Sequence, residues 1–387
     1  MRILVVPLHV TAHLMELVPL CWAARAAGHE VLVAGAPDLT GTALRAGLGI
    51  VPIGEPVNMI EAGRGHMPQE WFPAGALERR DTPEGRFLWE QCAVAFLDQA
   101  QRHADDYLEL VARWQPDLLL VDSMSLLGWL VGSAAGVPVA HVHCGVTPLL
   151  GPFEDKAREL LAPLARRLGV TELPRRDLVI DPCPPSLQAP DSPPGVPMRY
   201  VPYNGSGVQP EWARVKPDRR RICVSFGSVL AWTGPRAFHN VLAALADVDA
   251  EIVVTLSKSN RAVVGELPDG VRVVESLPLN LFLRTCDLTI HHGGTGTGLS
   301  ATALGVPQLC LPQWGNSFDY ATRLEAAGAG RSLPTRETQE PGPIRAAITD
   351  LLDDPRYPKA AAALSAAMAA APSPHALVTE LARLVTG

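Results

Sequence analysis

The chain has 387 residues, which corresponds to roughly two domains of ordinary size. It carries 33 Lys and Arg against 40 Asp and Glu, and the resulting formal net charge of −7 excludes a long basic groove for nucleic acid. Apolar residues make up 47% of the chain, which is enough for a sizeable core and excludes wholesale disorder.

Short apolar strands alternate with helical segments in the first half of the chain. Strands are predicted over residues 3–6, 31–34, 118–121 and 137–142, and helices over residues 15–27 and 125–135. Pro19 is expected near the first turn of the first helix, which ends at Gly28. Apolar strands joined by helices are typical of a parallel sheet that is covered on both faces. Residues 55–85 lack a period, and we expect them to form long loops that line a pocket above the sheet.

The second half repeats this pattern. Strands are predicted over residues 222–226, 252–256, 271–274, 288–290 and 308–311, and helices over residues 235–246, 297–304 and 318–327. Seven prolines between Asp181 and Pro197 indicate a stiff, extended segment between the halves. The predicted domains are residues 1–200 and 218–372, joined by a linker over residues 201–217 and followed by a helical segment over residues 373–387.

The chain is expected to be a soluble cytoplasmic protein without a membrane or nucleic-acid partner. The segment MRILVVPLHV has too short an apolar run for a signal peptide. The uncharged residues 123–153 are long enough to span a bilayer, but glycines, prolines and histidines favour a buried helix followed by a buried strand. Seven cysteines, an odd number without a CxxC pair, indicate reduced thiols.

The segment HHGGTGTG, residues 291–298, is the most informative motif. It follows a predicted strand and opens a predicted helix, where free N–H groups and glycines leave room for a phosphate. Thr295, Thr297 and His292 add side-chain donors, whereas a tight turn with a capping threonine is the alternative reading. The spacing is neither G-x-G-x-x-G nor a Walker motif, which disfavours a nicotinamide dehydrogenase and an NTPase.

A second loop, SFGS over residues 225–228, follows the first strand of the second half. It supplies a small hydroxyl beside backbone amides. Alone it fits an ordinary turn equally well. Together with HHGGTGTG in the same predicted domain, it becomes a candidate for a second phosphate clamp.

His13 and Asp122 are candidates for a catalytic pair in the first domain. His13 follows the first strand and Asp122 closes the strand over residues 118–121, so both stand at carboxyl ends of strands, where such sheets bind ligands. A carboxylate bonded to one ring nitrogen fixes the tautomer and strengthens the other nitrogen as a base. We predict this dyad, with a structural histidine as the alternative.

Other candidate residues carry weaker signals. The aromatic side chains of Trp71, Phe72 and Phe87 line an apolar pocket or fill a core, and the sequence favours neither reading. His141 and His143 share one face of a predicted strand, where a core position is favoured for each. No metal site is predicted, because the DxD-like segment at residues 247–249 lies in a helix-to-strand connection and reads as a solvated turn.

Several segments together resemble the GT-B glycosyltransferases of family 1 that act in antibiotic biosynthesis. They are the opening PLHVTAHLMELVPLCWAARAAGHEV, the motif HHGGTGTG and the segment GVPQLCLPQ, and the resemblance covers nearly the whole chain. DPCPPSLQAPD, YVPYNGSG and SLPLNLFLRTCDL are similar to rhamnosyltransferases of that family that modify polyketides. The resemblance implies an α/β GT-B fold, with two Rossmann-like β/α/β domains facing each other across a deep cleft. It also implies that the C-terminal helix returns to the first domain, and it makes a homodimer an expectation.

The resemblance implies a role for each candidate residue. His13 would deprotonate an acceptor hydroxyl, and Asp122 would hold His13. The residues expected to bind the nucleotide sugar are Gly227, Ser228, Leu277, His292, Gly294, Thr295, Gly296, Thr297, Asn316 and Ser317. Asn316 and Ser317 stand where the family often has Asp-Gln, so the contacts to sugar hydroxyls are expected to be rearranged. The residues expected to bind the acceptor are Trp71, Phe72, Phe87, His141 and His143.

The predicted reaction is an inverting transfer of a deoxysugar, L-rhamnose, from a TDP-sugar co-substrate to a hydroxyl of an apolar polyketide or macrolide aglycone. The TDP carrier is implied by the relatives. Amides and a helix N-terminus would stabilise the leaving group, so neither a metal nor a cofactor is expected. A nucleotide-sugar epimerase and a non-catalytic partner that retains the nucleotide-sugar site are the alternatives. The second is disfavoured, since a pure binder needs no base.

Overall fold

The computed structural model consists of two parallel sheets with helices on both faces of each. It describes residues 1–57, 83–143, 145–146, 152–171, 173, 178–189, 195–227, 230, 234–313, 316–335 and 337–386. Most of the predicted loop segment over residues 55–85, including Trp71 and Phe72, lies outside these residues. At its end, residues from Pro83 onward are helical.

The first sheet contains seven strands in the order β3-β2-β1-β4-β5-β6-β7. These strands are β1 (Arg2–Val6), β2 (Glu30–Gly35), β3 (Gly49–Pro52), β4 (Leu118–Asp122), β5 (Val139–Val142), β6 (Leu178–Asp181) and β7 (Val196–Pro197). The associated helices are α1 (Thr11–Ala26), α2 (Thr40–Arg45), α3 (Pro83–Trp114), α4 (Leu126–Ala135) and α5 (Pro152–Arg167).

The second sheet contains six strands in the order β10-β9-β8-β11-β12-β13. These strands are β8 (Arg220–Ser225), β9 (Ala250–Leu256), β10 (Arg272–Glu275), β11 (Leu288–His291), β12 (Gln308–Cys310) and β13 (Gly330–Ser332). The helices that follow the linker are α6 (Arg236–Leu245), α7 (Lys258–Val264), α8 (Thr295–Ala303), α9 (Ser317–Ala326), α10 (Pro341–Asp353), α11 (Arg356–Ala370) and α12 (Pro374–Thr386).

The central strands of the first sheet are apolar over most of their length because both faces of the sheet are buried there. In β1, Leu4 and Val6 belong to one core cluster, while Ile3 and Val5 belong to the cluster on the opposite face. Side chains alternate between the faces of a strand, so an uninterrupted apolar run is what a doubly covered strand requires. The predicted parallel sheets are thus present, and every predicted strand and helix has its counterpart.

The prediction for Pro19 is wrong. The first helix begins at Thr11, so Pro19 lies in its middle instead of its first turn. A proline inside a helix removes one backbone hydrogen bond. The helix continues through it because its buried side, which includes Leu17, Val18 and Leu20, is part of the first domain's core.

The C-terminal helix α12 packs on the first domain, although it follows the second domain in the chain. Leu377, Val378 and Leu381 join the same core cluster as Leu17 of α1. The C-terminal part of the linker is attached to the second domain. There, Arg221 of β8 donates to the carbonyl of Trp212 at 3.0 Å. The exact domain boundaries stay a prediction.

Ser125 caps the helix that follows β4, and this cap gives a stability prediction. Its hydroxyl accepts the Gly128 N–H at 3.2 Å. Ser125→Ala is expected to lower the free energy of unfolding by about 1 kcal/mol, because one N–H of the first turn loses its acceptor. Urea denaturation measures the loss. Ser133→Ala, near the end of the same helix, is the control with an expected change within about 0.5 kcal/mol. Equal effects of the two substitutions would contradict the capping role.

No single helix in the part of the chain that the structure describes is long and apolar enough to cross a membrane. One bent pair, Arg356–Ala370 with Pro374–Thr386, meets that test by length and composition only. The five described cysteines are buried and unpaired with one another.

Candidate active site

His13 and Asp122 come together at the carboxyl edge of the first sheet. β1 and β4 are neighbouring parallel strands, so the loop after β1 passes the end of β4, where Asp122 lies. His13 itself lies in the first turn of α1 and not in that loop, because the helix begins at Thr11, four residues earlier than predicted. Asp122 is completely buried, and its Oδ1 lies 3.2 Å from Nδ1 of His13. The N–H groups of Leu8 and Met124 also donate to this carboxylate, the latter at 2.8 Å.

The environment of this pair sets its protonation. Burial by itself lowers the pKa of His13, but the charge and hydrogen bond of Asp122, with the charge of Glu16, raise it above its ordinary value. Burial raises the pKa of Asp122, but His13 and the amides of Leu8 and Met124 lower it below the usual range. A carboxylate at Nδ1 fixes the Nδ1–H tautomer, so Nε2 carries the lone pair of a base.

Three neighbouring strands of the second sheet bring the predicted donor loops together. Ser225 and Cys310 are the register partners of His291 on either side. The loops that follow β8, β11 and β12 therefore leave the sheet side by side. Asn260 further holds the first of these loops by donating its side-chain N–H to the carbonyl of Gly227 at 2.6 Å.

The ring of His292 fills the space between two of these loops. A Cβ at Gly227 would lie 2.9 Å from its Cε1, and a Cβ at Gly294 would lie 2.3 Å from its Nε2. Both positions therefore require glycine. Burial lowers the pKa of His292 to about 4, although the backbone of Ser225 acts in the opposite direction. Among the described residues, Nδ1 of His292 has no hydrogen-bond partner.

The helix α8 begins at Thr295, two residues earlier than predicted. The first intrahelical bond runs from the Gly298 N–H to the Gly294 carbonyl at 2.9 Å, so the amides of residues 295–297 have no acceptor within the helix. Such amides, at the positive end of the helix dipole, are suited to an anion.

The two domains approach each other at this loop. A Cβ at Gly145, after β5 of the first domain, would lie 3.2 Å from Thr295 Oγ1 and 3.3 Å from Asn316 Nδ2. Tyr200 donates its hydroxyl to the Gly296 carbonyl at 3.3 Å. The start of α8 is therefore adjacent to both the first domain and the segment that leads into the linker.

The remaining residues that were predicted to bind the nucleotide sugar lie around the same edge of the second sheet. Asn316 immediately precedes α9, and Ser317 is its first residue and is buried. Leu277 is half-buried and packs on a core cluster of the second domain. The preceding residue, Ser276, is exposed and has a φ of 57°. A left-handed residue at that point bends the chain sharply between β10 and Leu277.

The structure describes only some of the residues that were predicted to bind the acceptor. Trp71 and Phe72 lie outside the described residues, as does Ser228 of the loop that follows β8, and Phe87 lies in α3 with its side chain outside them. His141 is buried, and its ring lies edge-on to Trp129 at 6.2 Å. His143 is also buried, with Nδ1 3.7 Å from Asp181 Oδ2. The acceptor role of these residues stays a prediction.

A buried polar network that the sequence does not reveal lies behind the donor loop, the segment of residues 292–294 between β11 and α8. It joins His291 to Gln308, Thr302 and Tyr320, and all four side chains are at most 1% exposed. The available signals were the first histidine of the motif and a glutamine within an apolar strand. In the described part of the chain, no group of three or more His, Cys, Asp or Glu side chains is arranged to hold a metal ion.

Comparisons with known proteins place this chain in a family. Residues 22–227 match the N-terminal domain, and residues 239–384 the C-terminal domain, of the family described as "Erythromycin biosynthesis protein CIII-like". It is 33% identical to the aclacinomycin-T 2-deoxy-L-fucose transferase of Streptomyces galilaeus, over 99% of this chain and 96% of that protein. It is 35% identical to the L-demethylnoviosyl transferase of Streptomyces niveus, over 99% and 98% of the two chains.

The solved structures agree. The spinosyn rhamnosyltransferase SpnG superposes with a TM-score of 0.90 at 45% identity, covering 99% of this chain and 100% of its own. The same enzyme was also solved with thymidine diphosphate and with the spinosyn aglycone. The fold and these matches define a glycosyltransferase with the GT-B fold, which confirms the predicted fold class. The chain belongs to the erythromycin biosynthesis protein CIII-like family of natural-product glycosyltransferases.

Proposed function

We propose that this chain transfers a deoxysugar, L-rhamnose, from a TDP-sugar to a hydroxyl of an apolar polyketide or macrolide aglycone, with inversion at the anomeric carbon. One observation carries the proposal. A half-buried His13, paired with a fully buried Asp122, stands at the edge of one sheet, and the loop that leads into α8 of the other sheet meets the same domain at Gly145. A base and a leaving-group site on opposite domains are what a displacement between two substrates requires.

The mechanism follows from these groups. The acceptor oxygen attacks the anomeric carbon, and its proton passes to Nε2 of His13, while Asp122 stabilises the imidazolium that forms. The bond from the anomeric carbon to the diphosphate oxygen breaks on the opposite face, and TDP leaves. A single displacement of this kind inverts the configuration.

The second domain would stabilise the charge that develops on the diphosphate. The donors would be the amides at the start of α8, the hydroxyls of Thr295 and Thr297 and the ring of His292. These groups can stabilise the leaving group without a cation, so we propose that the reaction is independent of metal and of any cofactor.

The donor and acceptor classes are supported by the relatives. The named enzymes transfer deoxysugars or related sugars, and SpnG was solved with thymidine diphosphate and with the spinosyn aglycone. Its name as a rhamnosyltransferase supports rhamnose as the donor sugar. Asn316 and Ser317 would contact the sugar hydroxyls, since both lie beside the donor loop at the start of α9.

Turnover followed by mass spectrometry tests the proposal. The protein is incubated with TDP-β-L-rhamnose and a panel of macrolide and aromatic polyketide aglycones, with and without EDTA. We expect an aglycone that gains the mass of one deoxyhexose in both conditions. Interconversion of the TDP-sugar without an acceptor would favour an epimerase. Binding of TDP without any product from this panel would favour a partner that only binds the nucleotide sugar.

The pH dependence of kcat/KM should report the His13–Asp122 pair. The base form of His13 is needed, and its raised pKa places the midpoint of the acid limb above the ordinary histidine value of 6.5. Asp122→Asn removes the negative charge and should move this midpoint to lower pH. The rate on the plateau should also fall, because the tautomer of His13 is no longer fixed. Initial rates between about pH 5 and 9 measure both effects, and an unmoved midpoint would contradict the pairing.

A further inference from the structure

His291 has no part in the mechanism above, yet it is completely buried at the end of β11, directly before the donor loop. Its Nδ1 accepts the N–H of Gly293 at 3.0 Å, and its Nε2 lies 2.9 Å from Oε1 of Gln308. A backbone N–H can only donate, so Nδ1 must be the unprotonated nitrogen and Nε2 must carry the proton.

The neighbouring side chains fix this tautomer. The hydroxyl of Tyr320 donates to Gln308 Oε1 at 2.9 Å, and the amide of Gln308 donates to Thr302 Oγ1 at 3.1 Å. Thr302 and Tyr320 are themselves 3.0 Å apart. Gln308 is therefore held with its oxygen toward His291, where it accepts the Nε2 proton. Burial also lowers the pKa of His291 to about 3, which keeps the ring neutral.

The bond from Gly293 to His291 determines the path of the donor loop. Gly293 has a φ of 81°, and a Cβ there would lie 2.9 Å from both the Cβ and the carbonyl oxygen of Ser317. The backbone at Gly293 therefore lies in close contact with the start of α9 and has a left-handed conformation. The next residue, Gly294, leads directly into the free amides of α8.

We propose that His291 is a positioning residue for the donor loop: its Nδ1, with the tautomer fixed by Gln308, Tyr320 and Thr302, holds Gly293 in the conformation that aims the α8 amides at an anion. The inference rests on the proposed function only in taking TDP as that anion. The hydrogen bond itself is a property of the free protein and can be tested without a ligand.

Two substitutions of His291 separate positioning from packing. Asparagine places an acceptor oxygen near the position of Nδ1, whereas leucine fills the apolar space without an acceptor. Amide hydrogen exchange of the peptide that contains residues 291–299 is measured for both. Exchange should accelerate by about tenfold in His291→Leu, which leaves the Gly293 N–H without its acceptor, and by less than about threefold in His291→Asn.

TDP affinity, measured by titration calorimetry, should follow the same order. His291→Leu is expected to bind TDP about tenfold more weakly than the wild type, and His291→Asn within about threefold. Thermal stability should be higher in His291→Leu than in His291→Asn, because leucine packs better than asparagine at a buried position. If leucine matched asparagine in loop exchange, the proposal would be overturned. If wild-type protein bound no TDP, the proposed function would fail, while the exchange data would still decide the role of His291.

A second pair of variants tests whether Tyr320 helps to fix the tautomer of His291. Tyr320→Phe removes a hydroxyl that orients Gln308, and it should accelerate loop exchange by about threefold. Tyr357→Phe removes a hydroxyl that bonds Asp350 at 2.8 Å elsewhere in the same domain, and it should leave loop exchange unchanged. Equal loop exchange in the two variants would contradict the role of Tyr320.

Discussion

Replacement of His13 by alanine is expected to lower kcat for sugar transfer by about 10²- to 10⁴-fold, the usual contribution of general base catalysis. The variant should fold, because Asp122 keeps the N–H groups of Leu8 and Met124 as partners for its buried carboxylate. TDP affinity should stay within about twofold of the wild type, since the diphosphate site is built from the other domain.

Single-turnover rates with saturating donor and acceptor measure this loss, and calorimetry measures TDP binding. His375→Ala is the matched control, because His375 is exposed on α12 and takes no part in either site. Activity in His13→Ala equal to that of His375→Ala would rule out His13 as the base. A parallel loss of TDP affinity would show that His13 supports the site as a whole and does not act as a base alone.

The sheets were predictable because local chemistry determines them. Strand β1 is apolar at every position from Ile3 to Val6, and such a run fits only a strand that is buried on both faces. The His13–Asp122 pair was predictable for the same reason, since carboxyl ends of neighbouring parallel strands meet at one edge. Neither inference needs knowledge of side-chain packing.

The missed features depend on contacts between distant parts of the chain. Pro19 is tolerated inside α1 because the helix is held by the core around it, which no local pattern reveals. In the sequence, Gln308 is a single polar residue in an apolar strand. Its role is visible only in the folded chain, where it contacts Tyr320 and His291. The requirement for glycine at position 294 likewise comes from the ring of His292, whose orientation is set by tertiary packing.

Gly294→Ala is expected to weaken TDP binding by about 100-fold. A Cβ at this position would lie 2.3 Å from Nε2 and 2.8 Å from Cε1 of His292. The ring has little room to move, because it also lies close to Gly227, where a Cβ would be 2.9 Å from Cε1. Either the ring or the start of α8 must shift, and both are proposed to bind the diphosphate. Loss of one or two hydrogen bonds to a charged group, at about 1.5–3 kcal/mol each, accounts for the expected factor.

Backbone strain would not explain this loss. Gly294 has a φ of −63° and a ψ of 136°, which alanine adopts readily, so the added methyl group acts through steric contact and not through backbone strain. The control is Gly342→Ala in α10, where a Cβ would meet nothing within 4 Å. Calorimetric titration with TDP measures both variants, and thermal unfolding checks that both are folded. Wild-type affinity in a folded Gly294→Ala protein would remove His292 from the diphosphate site.

A double-mutant cycle identifies the ring as the cause. His292→Ala alone should weaken TDP binding, because it removes one proposed donor to the diphosphate. If the Gly294 methyl acts only by displacing the ring of His292, adding Gly294→Ala to His292→Ala should cost no further affinity. If instead the methyl group itself blocks the path of the diphosphate, the two losses should add. The cycle therefore separates a glycine that makes room for a protein side chain from one that makes room for the ligand.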